Sequence, residues 1–181
     1  MNPLWISDTA FQEMITEADR AYPLETGGVL VGYFAENGEP VVFVAVGPGP
    51  SAMHRRHRFK PDHAWQCRQL DIIFDRSSGL FAYLGDWHTH PDASPRMSWL
   101  DQRTLRSIAR HPQARVRCPL MLIGGGSPQQ REWVCHQYKG ERVLGLITAS
   151  GERNVRTFHS TSHLMEQGFE PTATAAETDV Y

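Results

Sequence analysis

The chain has 181 residues, 40% of them hydrophobic and 21% charged, the profile of one ordinary soluble domain with enough apolar material for a core. A formal net charge of -2, and no basic run longer than Arg55, Arg56, His57 and Arg58, exclude the electrostatic footprint of a general nucleic-acid binder and leave at most a local phosphate contact there. No stretch reaches the roughly 18 apolar residues of a membrane span, and Met1 to Asp8 lack a basic-then-apolar leader, so the expectation is a cytoplasmic protein with no membrane or nucleic-acid partner.

Ser7 and Asp8 form an N-cap signal ahead of Phe11, Met14, Ile15, Ala18 and Tyr22 at helical spacing, and Pro23 follows the helix. Gly28 to Phe34 and Val41 to Val46 are β-branched runs separated by Asn37-Gly38, a hairpin signal that predicts two central strands. Gly47-Pro48-Gly49-Pro50 forces a loop. Pro61 then opens a second helix with Trp65, Leu70, Ile73 and Phe74 on one face, stopped by Ser77-Ser78-Gly79. Leu80 to Trp87 reads as a buried strand running into His88-Thr89-His90-Pro91, where proline is expected to end sheet pairing. After a loop, Asp92 to Met97, Ser98 caps a third helix over Trp99 to Arg110. Val116 to Ile123, Glu132 to Tyr138 and Val143 to Thr148 supply three more strands. The pattern is mixed α/β in one domain over residues 1–160. Thr161 to Tyr181, rich in Thr, Ala, Glu and Ser, is expected to be a weakly ordered tail. Cys67, Cys118 and Cys135 show no C-x-x-C spacing, and are read as buried small hydrophobes in a reducing compartment.

The chemistry concentrates where the third predicted strand ends. Residues two apart on a strand point to the same side, so His88 and His90 present two imidazoles together. Asp101, in the first turn of the next helix, can swing back as a third, oxygen ligand. Two histidines and a carboxylate leave a fourth tetrahedral position open, as in catalytic rather than structural zinc sites. Such a site needs a base, and Glu25 sits at a helix-to-strand junction, Glu25-Thr26-Gly27-Gly28, whose glycines allow close approach of the backbone. Ser98 can donate its hydroxyl to a developing oxyanion. Each piece alone has a plainer meaning: an H-x-H pair is commonly coincidence, and Ser98-Trp99-Leu100-Asp101 is equally a helix-capping signature.

The conjunction is more specific. Glu25-Thr26-Gly27-Gly28-Val29-Leu30-Val31-Gly32 matches E-[ST]-G-G-x-L-x-G, and His88 to Asp101 match H-x-H-P-x(6)-S-x-x-D, with ten residues between His90 and Asp101. In both segments the chain resembles the JAMM (MPN-plus) metalloprotease family, in its compact bacterial form, over about Leu4 to Ala149. The resemblance implies a deaminase-like α/β sandwich around a twisted mixed sheet flanked by helices. It implies Zn2+ held by His88, His90 and Asp101, Glu25 as general acid/base, and Ser98 as stabiliser of the tetrahedral intermediate. The choice of Glu25 over other acids rests mainly on it. It further implies an isopeptidase or peptidase whose substrate is a ubiquitin-like protein or its conjugate, with E1-like and E2-like enzymes as partners. Bacterial relatives serve antiphage conjugation systems, sulfur-carrier pathways and phage tail assembly, and the sequence does not choose among these.

Rivals fail on particular positions. His88-Thr89-His90-Pro91-Asp92 partly mimics H-x-H-x-D-H of metallo-β-lactamase-type enzymes, but Ala93 stands at the final histidine. Amidohydrolases need a barrel of about 250 residues. Neither H-E-x-x-H nor P-C-x-x-C occurs. A non-catalytic scaffold of the same fold would ordinarily lack the metal residues.

Overall fold

In the computed structural model, which describes residues 3–142 and 147–160, the strand-forming runs assemble into an eight-stranded mixed sheet. In chain order the elements are β1 (Leu4–Ser7), α1 (Asp8–Ala21), β2 (Gly27–Phe34), β3 (Pro40–Val46), β4 (Met53–Arg55), β5 (Arg58–Lys60), α2 (His63–Arg76), β6 (Ala82–Pro91), α3 (Trp99–Arg110), β7 (Leu120–Gly126), β8 (Glu132–Arg142), β9 (Ile147–Arg153) and β10 (Val155–Phe158). The sheet order is β10-β1-β3-β2-β6-β7-β8-β9, and β4 and β5 form a separate hairpin.

Ser7 starts α1 as expected: its Oγ accepts the Ala10 N–H at 3.2 Å, while its hydroxyl donates to the Phe43 carbonyl and ties the cap to β3. Ala10 and Met14 of α1 bury against Leu30, Leu84, Trp87, Leu120 and Leu122 on one face of the sheet. The opposite face carries Val29, Val31, Val44 and Val46 under Ile73 of α2, and Met121 and Ile123 under Leu105 of α3. Helices thus cover both faces, which is the α/β sandwich that the family resemblance implies. Each fully buried aliphatic side chain contributes about 1.5–3 kcal/mol, so the two faces together carry most of the driving force for folding.

Face assignment along β6 depends on a bulge. The pairing Leu30↔Gly85 is followed by Val31↔Tyr83, leaving Leu84 as an extra residue. Leu84 and Trp87, three apart, consequently share the α1 face, and His88 and His90 emerge on the other. Gly85 accommodates this with φ 154°, and a Cβ there would meet the Leu120 carbonyl oxygen at 2.0 Å.

Several details differ from the sequence reading. Pairing continues through Pro91, opposite Gly126 of β7. The other neighbour, β2, has its first pair at Gly27↔His88, so the missing proline N–H costs no bond on that side. β7 begins at Leu120 rather than Val116, after a left-handed Arg115 and Pro119. The second helix begins at His63, capped by Asp62 rather than opened by Pro61. Phe74 is 46% exposed and lies off the buried face of α2. Of the strand expected over Val143 to Thr148, residues 143–146 lie outside the described residues, and Ile147 and Thr148 open β9, which runs on to Arg153. The short strands β1, β4, β5 and β10 were not anticipated. The 161–181 tail also lies outside the described residues.

The cysteines are not uniformly buried: Cys135 is, Cys67 is intermediate and Cys118 is exposed. Burial pushes the Cys135 thiol up to about 12, with the Arg153 charge opposing it. A thiol-specific reagent at neutral pH should therefore label Cys118 first and Cys135 only after unfolding; native labelling of Cys135 by mass spectrometry would contradict this packing.

At Gly28 a Cβ would lie 1.8 Å from the Val46 carbonyl oxygen, so Gly28→Ala should lower unfolding stability by about 1–3 kcal/mol. Gly47, with nothing within 4 Å of a built Cβ, serves as the control, and Gly47→Ala should stay within about 0.5 kcal/mol in urea denaturation.

Candidate active site

The two imidazoles are delivered by β6. Thr89, between them, points to the opposite face, where its Oγ1 accepts the Thr26 N–H at 3.0 Å and its own N–H donates to the Thr26 carbonyl at 2.9 Å. These bonds continue the Gly27↔His88 pair and fix β6 against the chain just before β2. Because Thr26 faces Thr89, its neighbour Glu25 lies on the histidine side. The Glu25 backbone is held by its N–H donating to the Arg55 carbonyl at 2.9 Å and by its carbonyl, 3.0 Å from His54 Nδ1.

His88 Nε2 and His90 Nε2 lie 3.0 Å apart, His88 Nε2 is 3.3 Å from Asp101 Oδ1, and His90 Nε2 is 3.4 Å from Asp101 Oδ2. Bonds of about 2.0–2.1 Å to a tetrahedral ion require ligand atoms about 3.3 Å apart. The donors are spaced on that scale, His88 facing Oδ1 and His90 facing Oδ2 of Asp101, and the three side chains can hold a divalent metal ion at the centre of a tetrahedron whose fourth corner stays open. His90 is oriented from behind: its Nδ1 lies 3.2 Å from the Ser94 carbonyl and can donate to it, which would leave the Nε2 lone pair for a metal ion when one is bound.

Asp101 is aimed by the start of α3. Its backbone N–H donates to Ser98 Oγ at 3.2 Å, and its Oδ2 accepts the Ser98 N–H at 2.7 Å, a complete capping box. The capping and ligand readings of Ser98-x-x-Asp101 are therefore both satisfied by one geometry. Burial alone would push the Asp101 carboxyl up, but hydrogen bonds from His88 and His90, their charges and the Ser98 hydroxyl hold it well below the usual carboxylate range. It is an anion throughout the neutral range. His90 moves the other way: burial would lower it, and the Asp101 carboxylate and the Ser94 carbonyl raise it.

Glu25 is half-buried. Burial pushes its carboxyl up, the charges of His88 and His90 pull it down, and the Asp101 carboxylate adds to the rise. The net rise suits a group that must both take and return a proton near neutrality. All five residues singled out from the sequence thus converge: Glu25 from the α1–β2 junction, His88 and His90 from β6, Ser98 and Asp101 from the cap of α3.

The supporting residues were not legible. Thr26 and Thr89 gave no motif, although alternation alone puts Thr89 opposite the histidines. Asp92, left-handed at φ 58°, accepts from Tyr22 Oη at 2.8 Å and from Arg56 at 3.3 Å, linking the loop after His90 to α1 and to the β4–β5 hairpin. Trp99 and Leu100, between Ser98 and Asp101 in the chain, are 69% and 57% exposed.

Comparison with known proteins agrees with this arrangement. Residues 7–136 match the model of prokaryotic homologs of the JAB domain. A protein of Sinorhizobium fredii named "Probable metalloprotease" is 36% identical over 139 residues, covering 76% of this chain and 84% of its own length. A "CD-NTase/cGAS isopeptidase" of Enterobacter hormaechei is 32% identical over 126 residues, covering 68% and 67%. Among solved structures, protein DSY2949 from Desulfitobacterium hafniense superposes with a TM-score of 0.64 at 20% identity, covering 88% of this chain and 96% of that one, a likeness of fold. With the family model spanning more than half of the chain, and with metalloprotease and isopeptidase relatives, this protein belongs to the prokaryotic JAB-domain family and is a JAB-type metallopeptidase.

Proposed function

We propose that the chain is a zinc-dependent isopeptidase that hydrolyses the amide bond joining the C-terminus of a ubiquitin-like modifier to a target or precursor. The observation that carries this reading is the donor triangle of His88, His90 and Asp101 with Glu25 beside it. When bound there, zinc would supply Lewis acidity toward the scissile carbonyl and lower the pKa of water. Glu25 takes the proton of the attacking water and returns it to the departing amine, which leaves neutral. The Ser98 hydroxyl, whose oxygen already accepts the Asp101 N–H, turns its hydrogen to the oxygen that becomes negative as the carbonyl carbon turns tetrahedral. Asp101 stays ionised and holds position through its two bonds to Ser98.

The relatives named CD-NTase/cGAS isopeptidase support an isopeptide as the bond cleaved and a conjugated protein of that class as the target. On this reading E1-like and E2-like enzymes make the conjugate, the setting is an antiphage system in the cytoplasm, and residues 1–160 form the working domain, with the 161–181 tail outside the chemistry. No helix among the described residues is long and apolar enough to cross a membrane.

Elemental analysis and turnover of a purified conjugate test the assignment together. His88→Ala or His90→Ala should lose most of the zinc, and full zinc content in either would remove it from the ligand set. Glu25→Gln should retain zinc while kcat falls by about 100- to 10,000-fold. Wild-type rates in that variant would exclude Glu25 from the proton transfers. Ser98→Ala should retain zinc and lose about 100- to 1,000-fold in kcat, with about 1 kcal/mol of stability from the broken cap; a thermal melt measures the second effect independently of the first.

A further inference from the structure

The β4–β5 hairpin carries a charge pattern that the fold itself does not need. Strand alternation puts Met53, Arg55, Arg58 and Lys60 on one face and His54 and Phe59 on the other. The second face is the attached one: the His54 and Phe59 rings lie 5.4 Å apart, and His54 Nδ1 reaches the Glu25 carbonyl. On the first face Arg55 is paired directly across from Arg58, an arrangement of like charges that disfavours the hairpin. Arg55, Arg58 and Lys60 are exposed, and no carboxylate among the described residues pairs with them, whereas their neighbour Arg56 is held by Asp92. Together with Met53, 50% exposed, they line a depression of about 190 Å3.

We propose that this face docks an acidic segment of the substrate protein alongside the bond being cleaved. Calling the bound segment substrate rests on the hydrolase reading above. Two features fix the class of occupant. Three unpaired cations on a chain of net charge -2 call for carboxylates, and both ring side chains of the two strands, His54 and Phe59, are on the inner face. The outer face therefore lacks the stacking platform on which single-stranded nucleic acids depend. Its position fixes the role: the Arg55 carbonyl accepts the Glu25 N–H, so the cationic face begins one residue pairing from the general acid/base. A chain whose scissile carbonyl sits at the donor triangle has its neighbouring residues within reach of Arg55 and Arg58.

The test uses the full chain and a fluorescein-labelled 15-residue peptide rich in Asp and Glu, with Lys-rich and uncharged peptides of equal length and an oligothymidylate as comparisons. Fluorescence anisotropy should show binding of the acidic peptide alone, weakening as salt rises. Arg55→Glu with Arg58→Glu should raise its Kd at least about tenfold, while Arg55→Lys with Arg58→Lys should largely preserve it. Circular dichroism confirms that both double variants fold. With a purified conjugate the charge reversal should raise KM and leave kcat unchanged. Equal binding of all peptides, tighter binding of the oligothymidylate, or no response to charge reversal would each overturn the docking surface. Displacement of the probe by a synthetic 161–181 peptide at tenfold lower concentration than by unlabelled probe would also overturn it, since the chain's own acidic tail would then be the occupant. Hydrolysis persisting with no acidic-peptide binding sinks the docking surface and leaves the hydrolase reading intact. Peptide binding without any conjugate hydrolysis sinks the hydrolase reading, and with it the substrate assignment.

Discussion

The antiparallel contact between the start of β2 and the end of β6 governs everything the site can do. Gly27 opposite His88, and the two bonds between Thr26 and Thr89, bring the chain segment bearing Glu25 beside the strand bearing both imidazoles. Hydrogen bonds are directional and short, so the ladder and the buried Thr89 hydroxyl together fix this juxtaposition. The same contact tolerates little variation, because β2 approaches β3 so closely that Gly28 has no room for a methyl group. A strand thus supplies both imidazoles and a helix cap the carboxylate, while Glu25 stands in the short connection just ahead of β2.

That cap illustrates how one pair of residues can satisfy two demands. A capping box alone needs Ser98 and Asp101 to exchange hydrogen bonds; a metal site alone needs the carboxylate turned toward the histidines. Asp101 Oδ2 does both, accepting from the Ser98 N–H while lying 3.4 Å from His90 Nε2. The helix dipole adds to the effect, since an anion is favoured at the first turn. The electrostatics of the cluster follow from this compactness: an anionic Asp101 held by donors on every side, and a Glu25 raised by burial just beyond them.

Much of this was written in local sequence. Residues with strong local signals, such as Ser7 and Ser98 as caps, the β-branched runs of β2 and β3, and the spacing from His88 to Asp101, read correctly because short-range chemistry decides them. The convergence of Glu25 with the histidines came from a family pattern, since no local rule joins residues so distant along the chain. What stayed hidden depends on tertiary partners. β1 is four residues long and exists by pairing with β3 and β10. β4 and β5 are three residues each, and their hairpin is fastened through the bonds of β4 to Glu25. The basic run at Arg55 to Arg58 was visible, but its position against Glu25 was not. Pro91 was misjudged because proline breaks only those pairings that need its N–H, and which ones do depends on where the neighbouring strand stops.

The extra residue at Leu84 gives β6 a change of parity. Upstream of it, odd-numbered positions such as Tyr83 face α2; downstream, even-numbered ones such as His88 and His90 take over that side. Removing a single residue there would restore simple alternation and carry both imidazoles through the sheet to the α1 side, with Thr89 exchanged into their place. The layout of this protein is thus written partly in a count: one surplus residue, seated beside Gly85, decides which side of the sheet carries both imidazoles.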